Sequence, residues 1–273
     1  MLKQKTNWPV TILIALGSLF ILIPLYIAVS IALKTPDEMA KSVFSLPTGL
    51  HFENFTRAIE ATNFFAAFKN SAVITVVTVV FTILTNSMVA YAIARNMHKK
   101  FFKGLYYYFV SAMFIPFPII MLPLVKQTSL LNMDNQGGLI FLYIVYGAAL
   151  NIFIYTGYIR SIPKELEEAA IVDGCSTWGV FWKVIFPLLT PINATVGILT
   201  CLWAWNDFML PLIILNDPAD ATLPLVQYIF QSQFGTDFNL AFASYLLALS
   251  PMVIVYIFAQ KWVIGGVVKG AIK

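Results

Sequence analysis

Charged residues are scarce in this chain of 273 residues. They make up 11% of the sequence, while hydrophobic residues make up 59%, whereas a soluble domain carries about 25% charged residues. The mean hydropathy is +0.81. This composition excludes an ordinary water-soluble domain and predicts an integral membrane protein with almost no soluble part.

Cysteine and histidine are rarer still, with two of each. Cys175 falls in a predicted loop and Cys201 inside a predicted membrane span, so we expect no structural disulfide between them. His51 and His98 are predicted on opposite sides of the membrane, which excludes a metal site built on a histidine pair. The sequence also lacks a phosphate-binding loop and a nucleophile elbow. We therefore expect that this chain is not an enzyme and binds no metal or cofactor of its own.

Long hydrophobic runs, in contrast, are frequent. A helix crosses a bilayer core of about 30 Å with about 20 apolar residues. The windows that meet this requirement are 10–32, 70–94, 106–126, 137–158, 192–215 and 241–263. Because the runs are continuous, they predict helices rather than the alternating strands of a membrane barrel. The predicted fold class is an all-α membrane protein with six transmembrane helices, in which 1–273 form a single transmembrane domain.

The distribution of basic residues predicts the orientation in the membrane. With the amino terminus inside, twelve of the seventeen Lys and Arg residues are cytoplasmic, as the positive-inside rule favours. These are Lys3, Lys5, Arg95, Lys99, Lys100, Lys103, Arg160, Lys164, Lys183, Lys261, Lys269 and Lys273. Both termini are therefore predicted in the cytoplasm. The net charge of +4 reflects this topology, and it gives no reason to expect binding to nucleic acid.

One hydrophilic segment, KELEEAAIVDGCSTWGVFWKVIFPLLTP at 164–191, separates the fourth and fifth windows. Pro163 and the glutamates after it suit the start of a short helix, and Gly174 suits its carboxyl-terminal cap. Ser176 can cap a second helix, on which four apolar residues recur at helical spacing and predict one face at the membrane interface. Those four are Trp178, Phe181, Trp182 and Ile185. The segment is either a solvated connection or a surface on which another protein docks.

The pattern EEAAIVDG followed by FPLLTP resembles the EAA loop of ABC importer permeases, the membrane subunits whose cytoplasmic loop docks on an ATPase. The stretches WNDFMLPLIIL and FAQKWVIGGVVKGAIK are similar to matching segments of the carbohydrate-uptake permeases related to the maltose system. LHFENFTRAI, NSAVITVV and LLNMDNQGGLIFLY match in kind and order, so the resemblance covers nearly the whole chain. Asn151 departs from the pattern, since relatives often carry proline there, and this leaves the position of a helix kink open.

The resemblance implies a permease subunit of an ATP-driven sugar importer in the cytoplasmic (inner) membrane of a prokaryote. In the EAA loop, 160–190, it assigns the coupling motif to Glu168, Ala169, Ala170, Asp173 and Gly174. The glutamate would face a basic residue of the ATPase, and the glycine would allow the sharp turn between the two helices. The small alanines are expected to point outward with the glutamate. By position, the basic tail 269–273 would reach toward the ATPase.

The same resemblance implies several partners. They are a second permease subunit, expected to be a different chain, two ATP-binding subunits that hold ATP and Mg, and an extracytoplasmic solute-binding protein that delivers sugar. The outer segment 216–240 resembles a loop that probes the binding protein, although its apolar part also fits a helical connector.

Asp207 is the best sequence indication of a substrate pathway. It lies about 23 Å from the cytoplasmic end of the fifth window, at about 1.5 Å per residue. A charge in lipid costs about 2.5–3.5 kcal/mol at a helix centre, so the side chain should face protein or water. Trp203, Trp205 and Asn206 beside it offer aromatic faces and hydrogen-bonding groups suited to a sugar. The alternative is an aspartate that anchors a neighbouring helix. In the third window Pro116, Pro118 and Pro123 predict a helix break at a pathway or a hinge.

Two other functions fit a polytopic chain. A secondary transporter often shows two similar halves and carries intramembrane charges for ion coupling. We find no clear repeat, and outside the surroundings of Asp207 the windows are nearly free of charge. An ABC importer permease for a non-sugar solute is the nearer alternative. A requirement for ATP would separate both importers from the secondary transporter.

Overall fold

The structure is a computed structural model that describes residues 7–234 and 237–271. Over these ranges its regular structure is entirely helical. The helices are α1 (Trp8–Ala32), α2 (Pro36–Lys41), α3 (Glu53–Ala61), α4 (Phe64–Arg95), α5 (Lys100–Ala112), α6 (Phe117–Leu130), α7 (Gln136–Ile159), α8 (Glu165–Val172), α9 (Thr177–Val180), α10 (Phe186–Leu188), α11 (Thr190–Asn206), α12 (Met209–Ile214), α13 (Leu223–Phe234) and α14 (Phe238–Ala271). A π-helical turn, Phe181–Ile185, lies between α9 and α10, and a 3₁₀ turn, Pro218–Asp220, precedes α13. The orientation prediction also used Lys3, Lys5 and Lys273, which lie outside the described residues, as does the end of the basic tail.

Helices α1, α4, α7 and α14 are long and apolar enough to cross a membrane. They match the first, second, fourth and sixth hydrophobic windows. Two further spans exist if each of two bent helix pairs is counted as one span, the pair α5 and α6 and the pair Thr177–Leu188 and α11. The prediction of an all-helical membrane fold is confirmed, with four to six candidate spans.

The third window is interrupted near Pro116 and Pro118, as predicted, whereas Pro123 lies inside α6 without ending it. Helix α5 ends at Ala112, α6 begins at Phe117, and the two helices meet at 104°. Pro116 precedes α6 with an extended backbone. Proline lacks an amide donor and disfavours helical geometry in the residue before it, so the chain cannot continue α5 through this point. Pro118 lies in the first turn of α6, where proline is tolerated.

The fifth window is not the continuous helix that its apolar sequence predicts. Helix α11 ends at Asn206 and α12 begins at Met209. Asp207 between them is extended, and its two carboxylate oxygens accept the backbone N–H groups of Met209 at 3.0 Å and Leu210 at 3.3 Å. An aspartate that bonds to nearby amides ends one helix and caps the next. Asp207 therefore lies at the boundary between two helices rather than inside one.

By its contacts the chain forms two compact units, one of 1–65 and 226–251 and the other of 66–225 and 252–273. In the first unit two buried asparagine side chains cap the carboxyl end of α1. The Asn54 amide donates to the carbonyls of Ala32 and Lys34, both at 2.9 Å, and the Asn239 amide donates to those of Ile31 and Lys34, both at 2.8 Å. These bonds satisfy carbonyls that a helix end leaves without partners.

Helix α1 is exposed along most of its length, although its side chains are apolar all around. Its buried residues are confined to the last turn. A helix that is hydrophobic on every side must be covered by lipid or by other helices. This exposure agrees with a chain that works within a membrane.

In the second unit one apolar core joins α4, α7, the segment 160–190 and α11. Its buried members are Ala90, Ile93, Ala94, Ala148, Ile152, Tyr155, Ile159, Ile162, Ala170, Val180, Phe181, Ile185, Leu189 and Val196. Several are alanines, which let helix backbones approach closely. The core therefore fixes the segment 160–190, called the hairpin below, against the ends of the membrane helices.

Candidate functional site

The first helix of the hairpin, α8, ends in a tight cap at Gly174. The Cys175 N–H donates to the Ala170 carbonyl at 2.9 Å, and the Gly174 N–H donates to the Ile171 carbonyl at 3.0 Å. This pair of bonds is the Schellman motif. It requires a left-handed backbone after the helix, and Gly174 has φ +85°. Glycine adopts that conformation without steric cost, which explains the residue type at this turn.

The second half of the hairpin begins at Ser176, whose hydroxyl accepts the Gly179 N–H at 3.2 Å. The single apolar face predicted for it is wrong. Phe181 and Ile185 are buried in the core, whereas Trp178 and Trp182 are exposed. A spacing of i, i+3, i+4 and i+7 gives one face only in an unbroken α-helix, and the π-helical turn Phe181–Ile185 changes the helical register there.

The residues of the predicted coupling motif divide between surface and core. Glu168, Ala169, Asp173 and Gly174 are exposed. Ala170 is only 8% exposed and packs in the core, so the expectation that it points outward is wrong. Its carbonyl also accepts the bond that closes the Gly174 turn, which places it on the inner side of α8.

Apolar side chains surround these exposed acids along the hairpin. Leu166, Ile171, Val172 and Trp178 are all exposed, with Val172 reaching 86%. Exposed apolar residues grouped in one short segment mark a site of interaction with another protein or a membrane. The hairpin thus offers both a carboxylate at Glu168 and an apolar surface.

Sequence reasoning missed the role of the neighbouring Glu167. Its carboxylate accepts a bond from the Arg95 guanidinium at 2.5 Å and one from the Tyr91 hydroxyl at 2.7 Å, and Arg95 also donates to the Ile162 carbonyl at 3.1 Å. The Glu167 and Arg95 side chains are each 12% exposed. The sequence shows that this helix is acidic, but no pattern in it indicates which glutamate packs against α4.

A second candidate region is a cavity of about 460 Å³ between α5, α7 and α11. Most of its lining is apolar or aromatic, and two polar side chains, Asn151 and Thr200, contribute to it. Its lining residues are Tyr108, Phe109, Ala112, Met113, Ile115, Val145, Tyr146, Gly147, Ala149, Leu150, Asn151, Leu199, Thr200 and Trp203. Ligand pockets commonly have this size and this balance of apolar surface with a few polar groups.

Trp203 connects this cavity with the predicted pathway residues. Its ring stacks on Tyr146 with centroids 6.2 Å apart and an interplanar angle of 22°, and it meets Tyr143 edge to face at 5.0 Å. Asn151, at the departure from the family pattern, is buried within an unbroken α7. The cavity therefore has a fixed aromatic wall beside a polar amide.

The other three predicted pathway residues do not line this cavity. Trp205 is buried and packs edge to face on Phe68 at 5.9 Å. The exposed Asn206 donates to the Leu202 carbonyl at 2.7 Å. Asp207 accepts the Tyr143 hydroxyl at 3.0 Å besides capping α12. This geometry fits the alternative in which Asp207 anchors neighbouring helices, and the pathway role of these residues stays a prediction.

Within residues 7–234 and 237–271, no group of three or more His, Cys, Asp or Glu side chains is arranged to hold a metal ion. The hairpin offers an exposed surface for contact with another protein, and the cavity offers a pocket for a small ligand.

Comparison with known proteins identifies the family. Residues 86–269 match the family described as "Binding-protein-dependent transport system inner membrane component". The chain is 40% identical over 265 residues to the "Multiple sugar-binding transport system permease protein MsmG" of Streptococcus mutans, covering 96% of this chain and 95% of the relative. It is 34% identical over 274 residues to the "Melibiose/raffinose/stachyose import permease protein MelC" of Bacillus subtilis, covering 99% and 98%.

A solved structure has the same fold. A chain in the crystal structure of a bacterial ABC transporter involved in the import of the acidic polysaccharide alginate aligns with a TM-score of 0.79, at 22% identity, over 92% of this chain and 94% of that one. The relatives MsmG and MelC are named as permeases, which are transport components rather than enzymes. The resemblance seen in the sequence is confirmed, and the chain belongs to the family of binding-protein-dependent transport system inner membrane components, the multi-pass permeases of ABC transporters.

Proposed function

We propose that this chain is the permease subunit of an ATP-driven importer that moves a sugar or oligosaccharide across the cytoplasmic membrane by alternating access. It crosses the membrane six times, with each bent helix pair acting as one span, and both termini are cytoplasmic. The chain 1–273 acts as one translocation domain and binds no cofactor. A second permease, a different chain, completes the pathway, and two partner ATPases bind ATP and Mg.

The observation that carries this proposal is the exposed end of the hairpin. Glu168 is exposed, and no ion pair of its carboxylate occurs among the described residues. Exposed apolar side chains, including Val172, flank it. A carboxylate within an apolar surface fits a protein partner that supplies a basic residue and an apolar groove. An ATPase subunit docked there would pass its closure on ATP binding to the membrane helices.

The substrate class rests on two observations. The names of several relatives refer to sugars, as in the permeases MsmG and MelC. In addition, the cavity has a stacked aromatic wall at Tyr146 and Trp203 and a buried amide at Asn151. Aromatic faces pack on the C–H surfaces of a sugar, and amides bond its hydroxyls. We therefore infer that Trp203 lies on the pathway, together with its neighbours Trp205, Asn206 and Asp207 at the outer end of α11. An extracytoplasmic binding protein delivers the sugar to this end.

Reconstitution of the assembled transporter tests the proposal. The chain is purified in mild detergent with its partners, placed in proteoliposomes, and assayed for uptake and ATP hydrolysis with a sugar-loaded binding protein. We expect sugar uptake that requires ATP. Uptake without ATP would establish a secondary transporter instead, and ATP-driven uptake of a non-sugar solute alone would refute the substrate class.

A single substitution tests the hairpin. Glu168→Ala should reduce recovery of the ATPase with the permease by roughly tenfold, the change expected for loss of about 1.4 kcal/mol from one charged contact. Membrane insertion should be unchanged. Glu60→Ala, which removes an exposed carboxylate from α3 on the proposed outer side, is the matched control. Equal ATPase recovery and transport for both variants would exclude the hairpin as the docking site.

A further inference from the structure

A polar contact holds the hairpin to α4, in addition to its covalent links to α7 and α11 and its apolar packing in the core. Glu167 lies on the inner side of α8, and its two carboxylate oxygens bond different residues of α4. One oxygen accepts from Arg95 at 2.5 Å, and the other accepts from the Tyr91 hydroxyl at 2.7 Å. Arg95 also donates to the Ile162 carbonyl at the start of the hairpin. One guanidinium therefore holds two points of the hairpin to the end of α4.

The helix geometry explains why these residues meet. Tyr91 and Arg95 are four residues apart on α4 and share one face. Arg95 occupies the last turn of α4, where a cation is favoured, and Glu167 occupies the first turn of α8, where an anion is favoured. Opposite charges at helix ends of opposite polarity make this contact electrostatically complementary.

The contact is also enclosed. Both charged side chains are 12% exposed, and the Tyr91 ring packs on Phe181 with centroids 5.4 Å apart. Ala94 of α4 and Ala170 of α8 belong to the same buried core. A charge pair in such surroundings is screened weakly by solvent, and loss of one partner leaves the other charge buried. The attachment is therefore rigid compared with an exposed ion pair.

We propose that Arg95 and Tyr91, through Glu167, form a clamp that delivers movement of the hairpin directly to α4. They are positioning residues, because in this scheme the ATPase contacts the exposed Glu168 and does not touch the clamp. The inference rests on the proposed function, in that it assigns the route by which a docked ATPase moves the membrane helices. Without the clamp only apolar packing would join the hairpin to α4.

The test measures the number of ATP molecules hydrolysed per sugar transported by the reconstituted transporter. Glu167→Gln should keep ATPase binding, because Glu168 is intact, but raise this ratio at least tenfold. Tyr91→Phe, which removes one hydroxyl and keeps the ring packing, should raise the ratio by roughly threefold. The charge exchange Arg95→Glu with Glu167→Arg should return it to within about threefold of the original. Glu165→Gln is the matched control, since it changes an exposed carboxylate of the same helix turn.

Each result decides the question. A normal ratio for Glu167→Gln and Tyr91→Phe in a transporter that works would overturn the clamp while leaving the proposed function standing. Loss of ATPase binding in Glu167→Gln would overturn it too, by making the residue part of the docking surface. If Glu167→Gln fails to assemble, a normal ratio for Tyr91→Phe overturns the clamp and a raised ratio supports it. If the unmodified transporter shows no ATP-driven uptake, the proposed function fails, and the clamp proposal fails with it.

Discussion

Replacement of Gly174 should destabilise the hairpin turn, least with asparagine, more with alanine and most with proline. The backbone there has φ +85°, which costs an L-residue about 1–2 kcal/mol. A Cβ at this position would meet no atom within 4 Å, so Gly174→Ala adds no steric clash to the conformational cost. Asparagine tolerates the left-handed region better, and Gly174→Asn should cost less. Proline cannot adopt this φ, and it also removes the N–H that bonds the Ile171 carbonyl.

Hydrogen exchange at the turn measures this effect. A cost of about 1–2 kcal/mol corresponds to a roughly 5–30-fold change in the ratio of closed to open turn. The Cys175 amide, which bonds the Ala170 carbonyl, should therefore exchange roughly 5–30 times faster in Gly174→Ala and less than that in Gly174→Asn. Gly174→Pro should also weaken ATPase docking and uncouple transport while leaving insertion intact.

Gly157 provides the matched control for this series. A Cβ there also meets no atom within 4 Å, but the residue lies in α7 with an ordinary helical backbone. Gly157→Ala should not accelerate exchange, because alanine is the better helix former by about 1 kcal/mol. The reasoning is refuted if exchange at Cys175 is unchanged in Gly174→Ala, or if Gly174→Pro docks the ATPase and transports normally.

Two further predictions concern Asp207 and Gly138 in the second unit. Asp207→Asn should alter uptake without releasing the ATPase. Because the charged bonds to Tyr143 and the α12 amides are lost, the free energy of unfolding should fall by about 1.5–3 kcal/mol. Normal uptake with only a lower melting temperature would limit Asp207 to an anchor. Gly138→Ala would place a Cβ 1.8 Å from the Met133 carbonyl oxygen, so we expect destabilisation of at least about 1–3 kcal/mol. Gly137→Ala, whose Cβ would meet only a side-chain oxygen at 3.2 Å, should be far milder in the same thermal-unfolding assay.

The helix breaks show where sequence reasoning succeeded and where it failed. The prolines of the third window predicted a break because proline lacks an amide donor, and α5 and α6 do meet at a sharp bend. The fifth window was predicted as one helix because its mean hydropathy is high, although Asn206, Asp207 and Pro211 interrupt the apolar run. Only the position of Asp207 beside the free amides of α12 makes it end a helix. A hydropathy average over about 20 residues does not show where one side chain bonds to backbone N–H groups and ends a helix.

The sequence by itself determined the class of the molecule and most of its long helices, since the length of an apolar run and the cost of unpaired backbone groups in lipid leave few alternatives. It also determined the turn at Gly174, because a left-handed residue favours glycine. The tertiary structure decided which of the adjacent glutamates faces the core, because that depends on Arg95, which lies 72 residues earlier in the chain. It likewise decided that Trp203 stacks on Tyr146 while Trp205 packs elsewhere. Contacts of this kind depend on how helices distant in sequence pack together, and no local pattern specifies that packing.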